Sequence, residues 1–286
     1  HGGQGRPKML EQACFSLFHA ATMAFTLLPT LSQAAIDALQ IHGTAQQQAL
    51  YLPRLISGEW LGTMNLTEPG AGSDLAALKT KAERHADGSY RLTGQKIFIT
   101  WGEHDGAANI LHLVLARLPD APPGTRGISL FLCPKYEVAP DGALGARNAV
   151  QCVGLEHKMG IHASPTCVMA YEDARAELIG AENGGLAAMF TMMNAARLAV
   201  GFEGVGLADA AWRQAQGYAQ ERRQGRSPIT GEDYAPIRDH PDVRLMLGLM
   251  KAKGEAARAV GMAIAAAVDA ARMAGDEASR QRHRRR

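Results

Sequence analysis

Two short stretches of this chain carry residue types that could hold a large anionic ligand. The first, T-E-P-G-A-G-S-D at 67–74, follows the apolar run 64–66, and the second is G-Q-K-I-F-I-T-W-G at 94–102. In the first stretch the proline fixes φ, and the two glycines let the backbone approach a ligand closely. Hydroxyl and amide groups there can face an anion. The composition suits a bulky polyanionic cofactor, and it also suits an ordinary surface turn between strands.

Two other chemistries could use the residues His157, His162 and Ser164, which are close in sequence. A Ser–His hydrolase is not favoured because no G-x-S-x-G turn surrounds the serine. A metal site is not favoured because the two histidines have neither an H-x-x-x-H spacing nor a cysteine partner. We therefore predict no metal site.

Composition bounds the class of protein. A 286-residue chain that is 47% hydrophobic and 20% charged is typical of a soluble globular protein with ample core. The net charge of +2 gives no reason to expect a polyanionic partner across the whole surface. The four cysteines are scattered without a C-x-x-C pair, which favours free thiols in a reducing cytoplasm.

The sequence pattern predicts neither a membrane span nor an export signal. We expect no apolar run long enough to span a bilayer, and residues 1–7 lack the plan of a signal peptide, so we predict a cytoplasmic protein. The chain begins at His and ends in a run of arginines inside a helical pattern. We expect it to be a piece of a longer protein.

The periodicity predicts helices, then strands, then helices. Residues 7–61 are helical in pattern, with a turn near Pro29, a capping box from Thr44 to Gln47 and an end at Gly58. From about residue 61 to 173 the period approaches two, which indicates a small β-barrel or sandwich. Within it we predict a tight hairpin connection at Gly94-Gln95.

The remaining chain is predicted to be helical. One helix follows Gly184-Gly185, a second begins near Ala208, and a third begins near Asp242 after a proline-rich loop. The glycines of the G-x-x-G-x-G run at 201–206 lie in mid-helix with no strand before them. We therefore expect them to serve close helix packing instead of dinucleotide binding.

The two stretches resemble the flavin-contacting signature of the acyl-CoA dehydrogenase family, and the resemblance continues through most of the chain. It is closest to the methylthiopropanoyl-CoA dehydrogenase-like branch, as shown by W-G-E-H-D at 101–105, H-K-M-G-I-H-A-S-P-T at 157–166 and M-F-T-M-M-N-A-A-R at 189–197. The resemblance implies an α+β fold of N-terminal helices (1–61, partial), a middle β-barrel domain (62–174) and a C-terminal helical bundle (175–286, partial).

The resemblance also implies FAD as the cofactor, lying between the strand module and the C-terminal helices. Position by position, it assigns flavin contacts to Met64, Asn65, Leu66, Thr67, Ser73, Phe98, Ile99 and Thr100, with the Thr100 hydroxyl donating to the reactive flavin nitrogen. A fixed donor there would stabilise negative charge as hydride arrives. Position 64 is often aromatic in the family and is Met here. Plain strand core is the alternative for Phe98 and Ile99.

Further residues are assigned from the C-terminal part. The segment 221–226 resembles the family's E-R-x-x-F-G, so Arg222 and Gln224 are expected to bind the flavin pyrophosphate of a neighbouring subunit, in a homodimer or homotetramer. Helix-dipole complementation is the alternative for Arg222. Asn194 and Arg197 share a helix face that, with Ser73, is expected to meet the acyl-CoA substrate. A buried structural ion pair is the alternative for Arg197.

The family's reaction needs a carboxylate that removes the α-proton of an acyl-CoA while the β-hydride passes to the flavin. In most members this Glu comes late in the chain, and in some it occupies the position of Ala196 here. We therefore name no catalytic residue, expect the base beyond Arg286, and expect the chain to bind flavin weakly and not to turn over. An electron-transfer flavoprotein is the expected electron acceptor.

One alternative within the superfamily is a DNA-associated flavoprotein with a basic C-terminal region. The basic tail at 280–286 could contact phosphates. A short exposed charge run is more often a solvated end, and the near-neutral total charge argues against a nucleic-acid partner.

Overall fold

The computed structural model describes residues 4–274, which form two compact units treated separately below. The barrel unit comprises Ala24–Ala196, and the helical unit comprises Gly5–Met23 together with the chain from Arg197 onward. The predicted basic tail at 280–286 lies outside the described residues. The predicted domain boundaries at 61/62 and 174/175 stay predictions.

The described residues form four α-helices and nine strands. The helices are α1 Lys8–His42, α2 Ala45–Ser57, α3 Gly185–Glu221 and α4 Pro241–Met273. The strands are β1 Trp60–Asn65, β2 Lys81–Arg84, β3 Tyr90–Thr100, β4 Asn109–Arg117, β5 Ile128–Pro134, β6 Tyr136–Val138, β7 Leu144–Arg147, β8 Val150–Leu155 and β9 Thr166–Ile179. This order of helices, strands and helices confirms the predicted α+β class.

Five strands of the barrel unit close into a ring. The pairings run β4-β2-β3-β9-β5, and β5 then pairs with β4, so the sheet returns to its first strand. Outside this ring β1 pairs in parallel with β4, and β8 pairs with β9. Closure satisfies the edges that an open sheet would leave unpaired. The prediction of a small β-barrel is therefore confirmed.

Strand β4 is buried on both faces, which explains its continuous apolar sequence. Leu111, Leu113 and Leu115 pack in one core cluster with residues of α1 and α2. Val114 and Ala116 point the other way, into a second cluster formed by barrel strands. β4 is therefore the shared wall between the helical layer and the barrel interior.

The capping prediction for α2 is confirmed. The Thr44 hydroxyl accepts from the Gln47 amide, the Gln47 side chain accepts from the Thr44 amide, and Gly58 ends the helix in the left-handed conformation at φ 77°. The predicted turn near Pro29 is wrong, because α1 continues through it. The helical geometry of α1 is broken instead at Thr22, where φ is −156° and ψ is 86°.

The predicted hairpin at Gly94-Gln95 is also wrong, because both residues lie within the single strand β3. Gly94 has a different purpose there. A Cβ at this position would lie 2.6 Å from Thr80 Oγ1 and 2.8 Å from Thr80 Cα, so the glycine permits close approach of the chain at Thr80. From the sequence alone, a strand glycine that is required by close packing cannot be distinguished from a turn glycine.

In the helical unit, α3 runs unbroken past residue 208, so the separate helix predicted from Ala208 is wrong. The packing role predicted for the 201–206 glycines is confirmed for Gly206 alone. A Cβ at Gly206 would lie 2.3 Å from the Ser16 carbonyl oxygen, whereas nothing lies within 4 Å of a Cβ at Gly201 or Gly204. α1 therefore crosses α3 at Gly206.

Two helices correct the expectation that no apolar run is long enough to cross a bilayer. By length and composition alone, α1 and α3 are each long and apolar enough to cross a membrane. In each helix, 33% of the most apolar stretch is buried in the structure. Core helices of soluble proteins meet the same criterion, so the finding is weak evidence for a membrane span.

The two neighbouring glycines of α3 give a matched test of this packing. We expect Gly206→Ala to lower the free energy of unfolding by about 1–3 kcal/mol, because its methyl group would overlap the α1 backbone. Gly204→Ala should raise it by about 0.5–1 kcal/mol, because the added methyl meets open space and the unfolded chain loses entropy. Urea denaturation measures both. Equal effects of the two substitutions would contradict the crossing.

Candidate functional site

The two sequence motifs meet in a hydrogen-bonded junction between the end of β1 and the end of β3. The Ile97 amide donates to the Thr67 carbonyl at 2.9 Å, and the Thr63 hydroxyl donates to the Thr100 carbonyl at 2.7 Å. Lys96 Nζ adds a third bond, to the Leu66 carbonyl at 2.9 Å. We call residues 63–68 and 96–100 the flavin-motif junction. Segments about 30 residues apart in sequence thus form one wall.

A buried ion pair lies beneath this junction. Lys96 is 0% exposed, and its Nζ lies 2.8 Å from Glu68 Oε1. The Glu68 carboxylate also accepts from the Thr80 hydroxyl at 2.5 Å, the Thr80 amide at 3.0 Å and the Lys79 amide at 2.7 Å. The family resemblance assigns neither charged residue a role, although each lies inside one of the two motifs.

Burial and pairing shift both pKa values. Burial lowers the pKa of Lys96 to about 8, partly offset by the Glu68 carboxylate. Burial acts to raise the pKa of Glu68, but Lys96 and the hydrogen bonds from Thr80 and Lys79 outweigh it, so the Glu68 pKa lies below its usual value. Glu68 is therefore ionised at neutral pH, and it is fully occupied by structural hydrogen bonds. It is no candidate for a catalytic base.

An irregularity in β3 exposes the predicted ring-contact residue. The register with β9 shifts between Lys96 and Ile99, and Phe98 within that shift has φ 60°. A positive φ is uncommon for a bulky residue and marks local strain, of the kind that clusters at ligand sites. As a result the Phe98 side chain is 58% exposed, whereas Ile99 is 2% exposed and belongs to the barrel core.

The residues of β1 present different groups to the surface. Asn65 is buried, and its Oδ1 accepts from the Tyr171 hydroxyl at 2.9 Å, so its side chain points inward. Met64 and Leu66 are half-buried and pack against the cluster shared with α1 and α2. A contact of Asn65 with an external ligand would therefore have to come from its backbone.

Three hydroxyl groups near the junction are available to a ligand. Within residues 4–274 the side-chain hydroxyls of Thr67, Ser73 and Thr100 have no hydrogen-bond partner in the structure. Cβ atoms at Gly70 and Gly72 would meet open space or only the Thr67 methyl group at 3.7 Å. Unpaired donors beside an exposed aromatic ring fit a ligand with an apolar ring system and polar edges. The residues present therefore fit a flavin.

The remaining predicted residues lie on or beyond α3. Arg222 and Gln224 are both exposed just after the helix, and Arg222 Nη2 donates to Gln224 Oε1 at 3.3 Å. Gly225 has φ 73°, a left-handed conformation that favours glycine. Asn194 and Arg197 are exposed on α3. Of these four, Asn194 alone belongs to the barrel unit.

The position of α3 where some family members carry the catalytic glutamate holds an alanine in this chain. Ala196 lies on α3, and Glu203, two turns later, is a half-buried carboxylate whose pKa is raised by burial. It has no hydrogen bond or ion pair within the described residues 4–274. Glu203 cannot be recognised as a candidate from the sequence, because a single glutamate in an apolar helix gives no signal of its burial.

The described residues give no support to a Ser–His hydrolase or to a metal site. The rings of His157 and His162 lie 6.4 Å apart, and the Ser164 hydroxyl is buried without a partner among the described residues. Lys158 Nζ donates to the Ile161 and Ser164 carbonyls, which fixes this loop structurally. The part of the chain between residues 4 and 274 contains no cluster of three metal-ligating side chains.

Comparison with known proteins decides the family. Residues 63–174 match the model of the acyl-CoA dehydrogenase middle domain, and residues 183–281 match that of the acyl-CoA dehydrogenase C-terminal domain. The chain belongs to the acyl-CoA dehydrogenase family. It is 50% identical over 280 residues to the 3-methylmercaptopropionyl-CoA dehydrogenase of Ruegeria pomeroyi, covering 97% of this chain and 47% of that protein. The resemblance stated from the motifs is thereby confirmed.

Solved structures of flavoproteins are also similar to this chain. An acyl-CoA dehydrogenase from Bacillus anthracis complexed with FAD superposes with a TM-score of 0.77 at 27% identity, over 98% of this chain and 44% of that one. The electron transferring flavoprotein of Acidaminococcus fermentans superposes with a TM-score of 0.79 at 26% identity, over 94% of this chain and 65% of that one. The chain thus spans about half the length of the curated relatives it matches.

The buried histidine of β4 gives a pH prediction. Burial lowers the pKa of His112 to about 3, whereas an unfolded histidine titrates near 6.5. Between these values the unfolded state binds one more proton, so each unit of falling pH should cost about 1.4 kcal/mol of unfolding free energy. Urea denaturation of wild type and His112→Leu from pH 7 to pH 4 tests this. Below about pH 6.5, the difference in unfolding free energy between the two proteins should change at that slope. A difference that does not depend on pH would contradict the lowered pKa of His112.

Proposed function

We propose that this chain forms the flavin-binding part of an enzyme that dehydrogenates acyl-CoA thioesters at the α and β carbons. The observation that carries the proposal is the flavin-motif junction, in which both family motifs are joined and Phe98 is exposed beside unpaired hydroxyls. The family assignment and the FAD complex of a structural relative support FAD as the cofactor.

The proposed contacts with FAD come in two sets. Met64–Thr67, Ser73 and Phe98–Thr100 form the first set, in which the buried residues Asn65 and Ile99 contribute backbone groups. Arg222 and Gln224 form the second set, which is proposed to bind the FAD of a neighbouring subunit. Bound FAD would supply the two-electron acceptor for hydride. The exposed Phe98 ring would pack against the apolar ring system of the flavin and exclude water, and the Thr100 hydroxyl would donate a hydrogen bond that stabilises added negative charge. Arg222 supplies a planar fork that can bind phosphate oxygens bidentately.

For the substrate, Ser73, Asn194 and Arg197 are the proposed contacts with the acyl-CoA. Their hydroxyl, amide and guanidinium groups suit the phosphates and amides of CoA. Arg222 is proposed to reach the flavin of a neighbouring subunit, which makes the enzyme a homodimer or homotetramer. An electron-transfer flavoprotein is the proposed electron acceptor, and the cytoplasm is the proposed location. The comparisons offer no observation in favour of the DNA-associated alternative.

The first test is a flavin spectrum of the chain reconstituted with FAD, followed by anaerobic titration with acyl-CoA thioesters. Because the visible absorption of oxidised flavin is lost when hydride arrives, bleaching would identify both the reaction and a working base among these residues. A bound flavin that stays oxidised would support the cofactor site and place the base elsewhere. Failure to bind any FAD would contradict the proposal.

Two adjacent exposed arginines allow a matched test of the pyrophosphate contact. We expect Arg222→Met to weaken FAD binding about tenfold or more, because charge-assisted bonds to phosphate are worth about 1.5–3 kcal/mol. Arg223 instead pairs with Glu232 and donates to the Tyr234 carbonyl, so Arg223→Met should change the dissociation constant about twofold or less. Fluorescence titration with FAD measures both. Equal losses would show that charge near the helix end, and not Arg222 itself, matters.

A further inference from the structure

The peptide bond between Leu66 and Thr67 is held from one side by a buried ammonium. Lys96 Nζ, which is fully buried, donates to the Leu66 carbonyl oxygen at 2.9 Å. The Leu66 carbonyl therefore points toward the ion pair and the barrel. A charge-assisted donor away from solvent is a strong hydrogen-bonding partner, so the orientation of this carbonyl is tightly fixed.

Peptide geometry then determines the direction of the next amide. The described backbone contains no cis peptide bonds. In a planar trans peptide the carbonyl and the following N–H point in opposite directions. The Thr67 N–H accordingly points away from Lys96 and out of the barrel. Within residues 4–274 this amide has no hydrogen-bond acceptor.

The other end of Thr67 is fixed as well. Its carbonyl accepts from the Ile97 amide at 2.9 Å, so the peptides on both sides of Thr67 are attached to β3. Glu68 keeps Lys96 in place, because its carboxylate is itself bound by the Thr80 side chain and by the Lys79 and Thr80 amides. The Lys96–Glu68 pair therefore fixes the orientation of the Thr67 N–H from the side of the barrel interior.

We propose that Lys96 and Glu68 are positioning residues for the cofactor, which aim the Thr67 amide N–H outward as a preformed donor to an electron-rich oxygen of the flavin. This inference rests on the proposed function and adds a specific role for two side chains that do not themselves touch the ligand. A donor that is already oriented costs no reorganisation when the ligand binds or gains charge.

The experiment must separate positioning from stability. Lys96→Met alone would leave the Glu68 carboxylate buried without its cation, which destabilises the fold whatever the pair does for ligands. The double variant Glu68→Gln/Lys96→Met removes both charges and keeps similar volumes, so part of the lost stability should return. The return is partial because both carboxylate oxygens accept backbone N–H bonds and glutamine keeps only one acceptor oxygen. The double variant does not restore the ammonium donor to the Leu66 carbonyl.

The matched control is a second buried lysine of the same unit. Lys135 pairs with Glu103 and donates to the His104 carbonyl at 2.8 Å, so Lys135→Met removes the same kind of contact away from the Leu66–Thr67 peptide. Each variant of the 286-residue chain is measured twice: by urea denaturation for unfolding free energy and by fluorescence titration with FAD for the dissociation constant.

We expect the double variant to unfold at a higher denaturant concentration than Lys96→Met, and to bind FAD at least about tenfold more weakly than the wild type. Lys135→Met should lose stability and keep the wild-type FAD affinity within about twofold. If the double variant recovers both stability and FAD affinity, the pair is structural only and the inference is wrong. If the wild-type chain binds no FAD, the proposed function fails and this inference fails with it.

Discussion

The buried contact between Lys96 and Glu68 is the constraint on which the candidate site depends. Removing two charges from water is costly unless both are paired and their remaining hydrogen-bonding capacity is used. The structure meets that condition with two partners on the ammonium and four donors on the carboxylate. Satisfying these charges requires the loop after β1 and the segment directly before β2 to meet β3, so one ion pair constrains the course of three segments.

The irregular backbone of β3 follows from the same arrangement. Lys96 points into the interior, and Ile99, three residues later, is again in the core. Strict alternation would put these two residues on opposite faces, since their separation is odd. The register shift and the positive φ of Phe98 resolve this conflict and leave the Phe98 ring at the surface. The strain is therefore tied to the exposure of an aromatic side chain where ligand binding is proposed.

Much of the fold was predictable from the sequence because its signals are local. The capping box at Thr44 and the change of period at the barrel both come from short-range patterns. The wrong predictions concern residues whose role depends on tertiary contacts. Gly94 has the sequence pattern of a turn residue, but a glycine is required there because Thr80 approaches the strand closely. For the same reason Lys96 and Glu68 were missed, since burial of a charge can be recognised only once its partner is in place. The inward direction of the Asn65 side chain depends on Tyr171, 106 residues away.

Hydrogen–deuterium exchange with and without FAD tests most directly the claim that the two motifs form one flavin-binding surface. On addition of FAD, slower exchange is expected in both 64–74 and 94–102, with peptides from β6 and β7 unchanged. Thr67 should show the largest change in the first segment. Protection confined to one motif, or found only away from both, would contradict the account.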